Sequence, residues 1–111
     1  MLFRSVSRYI AERYLLFSGK NDGTRRKLTV GIYAPKVVTQ DKAQFPVDGV
    51  MSVCHVDMEG LDEHGFDVYG TDSMQAVNLA SNIESVIKRL SDKYDFFWAT
   101  GEPYFEEDGP N

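Results

Sequence analysis

Alternating apolar and polar residues are the clearest pattern in the first third of the chain. Between residues 27 and 32 every second residue is apolar, as expected for a strand with one buried face. The Asp-Gly pair at residues 22–23 is typical of a hairpin turn. Hairpin pairing therefore predicts that residues 9–17 form the partner strand. Residues 1–8 fit a helix or a strand.

Two further strands are predicted at residues 50–58 and 66–69, joined by a glycine-containing turn at residues 60–65. Residues 36–49 carry no firm pattern, so we expect a polar connection there. Side chains on opposite faces of a strand alternate, which divides each predicted strand into an inward and an outward set. The inward residues of these two strands are Cys54, Val56, Met58, Phe66 and Val68.

After residue 72 the apolar period changes to that of a helix. Asp72 can accept the free N–H groups of a first helical turn, and Gln75 can reach back, as in a capping box. The pattern predicts one long amphipathic helix from Asp72 to about Leu90, lying across the apolar face of the sheet. Its apolar stripe consists of Met74, Val77, Ala80 with Ala76, Ile83, Val86 with Ile87, and Leu90.

These elements predict a single α+β domain over residues 1–100. Its antiparallel meander would have four strands, or five if the aromatic segment at residues 94–99 adds an edge strand. Residues 101–111 contain four acidic residues and two prolines, so we expect a flexible acidic tail.

Charge is distributed unevenly along the 111 residues, whose formal net charge is −5. Residues 1–47 carry a net +6 and residues 48–111 a net −11. An acidic surface suits a basic protein partner and is poorly suited to nucleic acid, whose phosphates are bound by clustered Lys and Arg. A single cysteine excludes an internal disulfide and indicates a reducing compartment. With no apolar run long enough for a membrane span and no secretory h-region, we expect a cytoplasmic protein that does not bind membranes.

One outward strand face is the main candidate for chemistry. His55 and Asp57 share that face of the third strand, and Asp67 and Tyr69 face the same way from the fourth. With His64 in the connecting turn, these groups could ligate a metal or act as an acid/base pair. The simpler interpretation is the solvated face of an antiparallel sheet.

Other residues give weaker indications. Trp98 lies in an aromatic group that either closes the core or, if exposed, forms part of a protein interface. Cys54 faces inward, as a structural thiol would. No motif indicates a catalytic residue, a metal site or a cofactor, so none is predicted.

Three segments resemble a small bacterial domain family of unknown function. They are Ile10–Arg13, Val30–Pro35 and Tyr69–Ala80, the last with a Gly-x-Asp-x-x-Gln-Ala helix start. The resemblance covers about residues 9–98. It implies a meander of four antiparallel strands followed by a helix, and it implies no activity, cofactor or catalytic residue.

The favoured hypothesis is a non-enzymatic binding or accessory protein, of the inhibitor or immunity type, whose acidic surface meets a basic partner. The alternative is a small metal-dependent or acid/base enzyme that uses His55, Asp57, His64 and Asp67. A third hypothesis is a homodimer formed through an exposed edge strand.

Overall fold

In the described part of the chain, six strands form one antiparallel sheet, and two helices cover one of its faces. The computed structural model describes residues 8–38 and 51–105. The elements are β1 (Tyr9–Gly19), β2 (Arg26–Tyr33), β3 (Lys36–Val38), β4 (Met51–Glu59), β5 (Phe66–Gly70), α1 (Ser73–Ser81), α2 (Glu84–Leu90) and β6 (Tyr94–Trp98). The predicted α+β class and antiparallel sheet are confirmed, but the expected four or five strands are too few.

Strand β4 pairs with three other strands. Both β2 and β3 pair along one of its edges, and β5 pairs along the other. Between β2 and β3 lies Pro35, which has no N–H to donate to a ladder. The prediction of a connection over residues 36–49 is wrong at residues 36–38, which form β3. A strand of three residues is too short to show an alternating pattern in the sequence. Residues 39–50 lie outside the described residues.

The other half of the sheet is built from β1, β2 and β6. The hairpin predicted between residues 9–17 and the strand after the Asp-Gly turn is present as β1 and β2. β6 follows the helices and pairs with the other edge of β1, so that Phe17 lies opposite Phe96. Residues 1–8, for which both a helix and a strand were possible, lie outside the described residues except for Arg8.

The predicted N-terminal cap of the helix is confirmed. The Asp72 carboxylate accepts the N–H of Gln75 at 2.8 Å, and the Gln75 side chain accepts the N–H of Thr71 at 2.7 Å. The single long helix, however, is two helices. Asn82 leaves the helical conformation with ψ 73°, and α2 begins two residues later without a side-chain cap. Asn competes for backbone hydrogen bonds and therefore favours helix ends.

The core lies between the helices and the sheet. Cys54, Val56 and Met58 are buried as predicted, and Phe66 and Val68 pack against them. From the helices the buried side chains are Ala76, Ala80, Ile83 and Ile87. Met74 of the predicted apolar stripe is instead 81% exposed in the first turn of α1. The small side chains of Ala76 and Ala80 face the sheet, which turns Met74 outward.

Residues 101–105 run back along the outer edge of β6. Tyr104 donates its N–H to the carbonyl of Phe96 at 2.9 Å, and Pro103 lies opposite Phe97. The Tyr104 side chain is buried, and its hydroxyl bonds to Arg13 and Glu84. This part of the predicted acidic tail packs against the sheet, and residues 106–111 lie outside the described residues. In the part of the chain that is described, no helix is long and apolar enough to cross a membrane.

The cap gives the first testable prediction. Asp72→Ala removes the acceptor for the Gln75 N–H and should lower the free energy of unfolding by about 1 kcal/mol. Urea denaturation followed by circular dichroism measures the change. The control, Asp92→Ala, removes an exposed carboxylate after α2 and should change stability by less than about 0.5 kcal/mol. Equal losses in the two variants would contradict the capping role.

Candidate functional site on the open sheet face

The sheet face opposite the helices carries a connected group of polar side chains. Strand alternation places His55, Asp57 and Glu59 on this face of β4, because Cys54, Val56 and Met58 occupy the other face. In the registers of the sheet, Asp57 lies opposite Gly31 of β2 and His55 lies opposite Asp67 of β5. The contacts among these side chains therefore depend on strand pairing.

His55 lies between two carboxylates. Its Nδ1 is 2.7 Å from an oxygen of Asp67, and its Nε2 is 2.9 Å from Oδ1 of Asp57. Both contacts are hydrogen bonds if the imidazole carries two protons. Hydrogen bonding to Asp67 raises the pKa of His55, burial works against this, and the hydrogen bond to Asp57 adds to the rise. The geometry therefore favours an imidazolium.

Asp57 is the centre of the network. Besides His55, it accepts the hydroxyl of Tyr33 at 2.9 Å and that of Tyr9 at 3.3 Å, both on Oδ2. Tyr9 is also hydrogen-bonded to Glu59. Burial alone would raise the pKa of Asp57, but the hydrogen bonds from Tyr33 and His55 outweigh it and lower the pKa. We call these six residues the open-face network: Tyr9, Tyr33, His55, Asp57, Glu59 and Asp67.

The pKa values of the two tyrosines shift in the opposite direction. For Tyr9, burial and then the hydrogen bond to Glu59 raise the pKa above its ordinary value. The hydrogen bond to Asp57 does the same for the pKa of Tyr33. Their rings meet edge to face with centroids 5.1 Å apart. Both hydroxyls therefore remain protonated donors near neutral pH.

Two glycines allow the network to form. A Cβ on Gly31 would lie 2.4 Å from the ring of Tyr9, which crosses directly above that position. A Cβ on Gly65, in the turn before β5, would lie 2.5 Å from the carbonyl oxygen of Val56 and 2.8 Å from Nε2 of His55. Gly31 thus makes room for Tyr9, and Gly65 lets the turn close over the pair of His55 and Asp57.

A cavity of about 400 Å³ opens beside His55. Its lining residues are Tyr33, Ala34, Lys36, Val53, His55 and Asp67. The Arg8 guanidinium carbon lies 5.7 Å from the centroid of the Tyr33 ring, within the range of a cation–π contact. The cavity therefore combines an aromatic ring, charged groups of both signs and the apolar side chain of Val53.

The structure brings together three of the five candidate binding residues. Asp57 and Asp67 are each hydrogen-bonded to His55, and Tyr69 of β5 lies opposite Val53 of β4. Trp98 is on the other face of the sheet, opposite Leu15 of β1. There it lies against Tyr104 and against β1, with the Tyr104 ring 4.5 Å away and the Arg13 guanidinium 5.5 Å away.

His64 does not join the network. It is exposed, and no hydrogen bond or ion pair among the described residues connects it to His55. Three network residues were missed by the sequence analysis, namely Tyr9, Tyr33 and Glu59. Alternation already placed Glu59 beside Asp57 and Tyr33 beside Gly31, so these two could have been found. Tyr9 could not, because a bulge between Tyr9 and Ala11 shifts its register.

The arrangement offers donors and charges rather than a reactive centre. Within residues 8–38 and 51–105, no group of three or more His, Cys, Asp or Glu side chains could hold a metal ion. Burial raises the pKa of the Cys54 thiol, which lies under the helices away from this face. Both nitrogens of His55 already contact carboxylates, so neither is open to a substrate in this conformation.

The chain matches no protein-family model, no curated protein and no solved structure. The resemblance to a bacterial domain family therefore stays a prediction.

The His55 contacts predict a pH-dependent stability. In the folded protein the pKa of His55 is raised above 6.5. The contacts of the imidazolium therefore stabilise the fold fully below the unfolded pKa, and this stabilisation is lost as pH rises through the folded pKa. The loss of unfolding free energy caused by His55→Gln should therefore be larger near about pH 5.5 than near about pH 9. Because the His55 side chain is 42% exposed, we expect a difference of at most about 1 kcal/mol.

Urea denaturation of the wild type and the variant at both pH values measures this difference. His64→Gln is the matched control, because no hydrogen bond or ion pair among the described residues connects His64 to His55. A His55→Gln effect that is constant, or that grows with pH, would contradict the imidazolium assignment. Both pH values lie above the range in which Asp57 takes up a proton, because its pKa is lowered. Asp57 therefore contributes equally to stability at both pH values.

The closure of the turn over the network can also be tested. Gly65→Ala should lower the free energy of unfolding by about 1–3 kcal/mol, because its Cβ meets the backbone oxygen of Val56, which a rotamer change cannot relieve. Gly19→Ala is the control, since the nearest atom to its Cβ would be an ordinary 3.5 Å away. Denaturant titration of both variants, with NMR titration of His55, measures the effect. An unchanged stability and an unchanged His55 pKa in Gly65→Ala would refute the close packing.

Proposed function

We propose that this chain is a non-enzymatic binding protein that uses the open sheet face to bind a basic segment of another protein. The observation that carries the proposal is the open-face network. It fixes three carboxylates and two tyrosines on a face that the helices leave uncovered.

Charge supports a basic partner. The network combines the carboxylates of Asp57, Glu59 and Asp67 with the single imidazolium of His55, so its net charge is about −2. Asp57 has both oxygens engaged, whereas Asp67 and Glu59 each have one oxygen without a hydrogen bond among the described residues. These two oxygens can accept donors from Lys or Arg side chains.

Rigidity supports binding as well. Tyrosine is enriched at protein interfaces, where its ring supplies contact area and its hydroxyl a polar contact. Here the hydroxyls of Tyr9 and Tyr33 are tied to Asp57, so the side chains lose little further freedom when a partner binds. The exposed ring of Tyr14 extends the surface along β1.

The cavity beside His55 is the observation that favours the second candidate, a small acid/base enzyme. General acid/base catalysis requires a group within hydrogen-bond reach of the substrate and with a pKa near the working pH. Before His55 could serve, Asp67 would have to move away from Nδ1 or Asp57 from Nε2. The binding function requires no such rearrangement.

The charge of the network provides the test. Glu59→Gln/Asp67→Asn removes the two carboxylates that have a free oxygen, and it should weaken binding to a basic partner by about tenfold or more. The control, Asp92→Asn/Glu102→Gln, removes the same charge from the turn after α2 and from the segment after β6. Immobilised wild-type protein would be used to isolate a partner from the native host. Its binding to all three proteins would then be measured by calorimetry at two salt concentrations.

The proposal predicts a partner with an excess of Lys and Arg, binding that weakens with salt, and near-wild-type affinity for the control. A specific partner that is acidic, or one bound equally by both double variants, would overturn it. Light scattering of the free protein addresses the separate hypothesis of a homodimer formed through an edge strand.

A further inference from the structure

We propose that the cavity beside His55 accepts an arginine side chain, which the basic segment of the partner would supply. This inference rests on the proposed function and deepens it. It names the chemical group that enters one defined position on the open face, the space bounded by Tyr33, Val53 and Asp67.

The chain itself places a guanidinium on the same ring. Arg8 lies with its guanidinium carbon 5.7 Å from the centroid of Tyr33. Tyr33 is oriented by the hydrogen bond from its hydroxyl to Asp57, so the ring is held in place for stacking. A planar, weakly hydrated guanidinium stacks on an aromatic face more readily than an ammonium does. Arg8 is not among the residues that line the cavity, but its position shows that a guanidinium can lie against this ring.

Asp67 supplies the anionic side of the cavity. One of its oxygens is bonded to Nδ1 of His55, and the other has no hydrogen bond among the described residues. The Asp67 side chain is 51% exposed, so a ligand can reach it. A guanidinium lying against Tyr33 could donate to this free oxygen, since Tyr33 and Asp67 line the same cavity.

Two positive groups oppose a cationic ligand and must be accounted for. Lys36 lines the cavity and has no ion pair among the described residues, and the imidazolium of His55 forms part of the wall. The charge of the His55 imidazolium is compensated by two carboxylates, Asp57 and Asp67. Lys36 is exposed on a flexible side chain that can extend into water. An anionic ligand would instead need Lys36, which makes this residue the deciding one.

Three matched probes would be titrated into ¹⁵N-labelled protein: N-acetylarginine methylamide, its citrulline counterpart and its glutamate counterpart. Citrulline retains the planar shape of arginine without the charge. We expect the arginine probe to shift the amide signals around Tyr33, Val53 and Asp67 in a saturable way. The glutamate probe should give no such shifts, and the citrulline probe should bind at least about tenfold more weakly.

Variants of the cavity make the test sharper. Tyr33→Leu and Asp67→Asn should each weaken binding of the arginine probe by about threefold to tenfold. Lys36→Met, which removes a like charge from the cavity lining, should strengthen it by about twofold to fivefold. Asp92→Asn is the control and should leave the affinity unchanged.

Equal shifts with arginine and citrulline would overturn the proposal, as would binding of the glutamate probe that is lost in Lys36→Met. Failure of the arginine probe, while partner binding still depends on Glu59 and Asp67, would refute the arginine site and leave the proposed function standing. If partner binding does not depend on these carboxylates, the proposed function fails whatever the probes show.

Discussion

The alternation of strand β4 is the constraint on which both the core and the candidate site depend. Cys54, Val56 and Met58 face the helices, while the residues between them face the open side. Because the side-chain period is two, a one-residue slip would place His55 and Asp57 in the core and three apolar residues in water. Burying an uncompensated charge is far more costly than losing an apolar contact. The core therefore fixes the register, and the register places the network.

Asp57 links the network to the rest of the sheet. Its side chain is only 26% exposed, so its charge requires compensation, which His55, Tyr33 and Tyr9 provide. These donors come from three strands, and Asp67 adds a fourth. The network consequently holds neighbouring strands together across a face that neither α1 nor α2 covers. Gly31 and Gly65 belong to the same arrangement, since a side chain at either position would occupy space that the network uses.

Local patterns in the sequence are sufficient for much of this architecture. Alternation locates β2, β4 and β5, an Asp-Gly turn pairs β1 with β2, and the cap residue Asp72 begins α1. Non-local contacts account for what the sequence did not reveal. Tyr9 reaches Asp57 across 48 positions and past a bulge, and Trp98 pairs with β1 only after the chain has crossed the sheet. The break at Asn82 separates two segments that share one apolar period, so periodicity could not detect it.

The saturation of the network favours binding over catalysis on physical grounds. A general base must offer a free lone pair, whereas His55 contacts a carboxylate through each nitrogen, and its interaction with Asp67 raises its pKa. In a binding surface the same saturation is an advantage, because charged groups already held in place need no reorganisation when a partner arrives. The oxygens of Asp67 and Glu59 that have no hydrogen bond among the described residues lie at the two ends of the network. A partner that places one cation at each end would compensate the charge that the network leaves unbalanced.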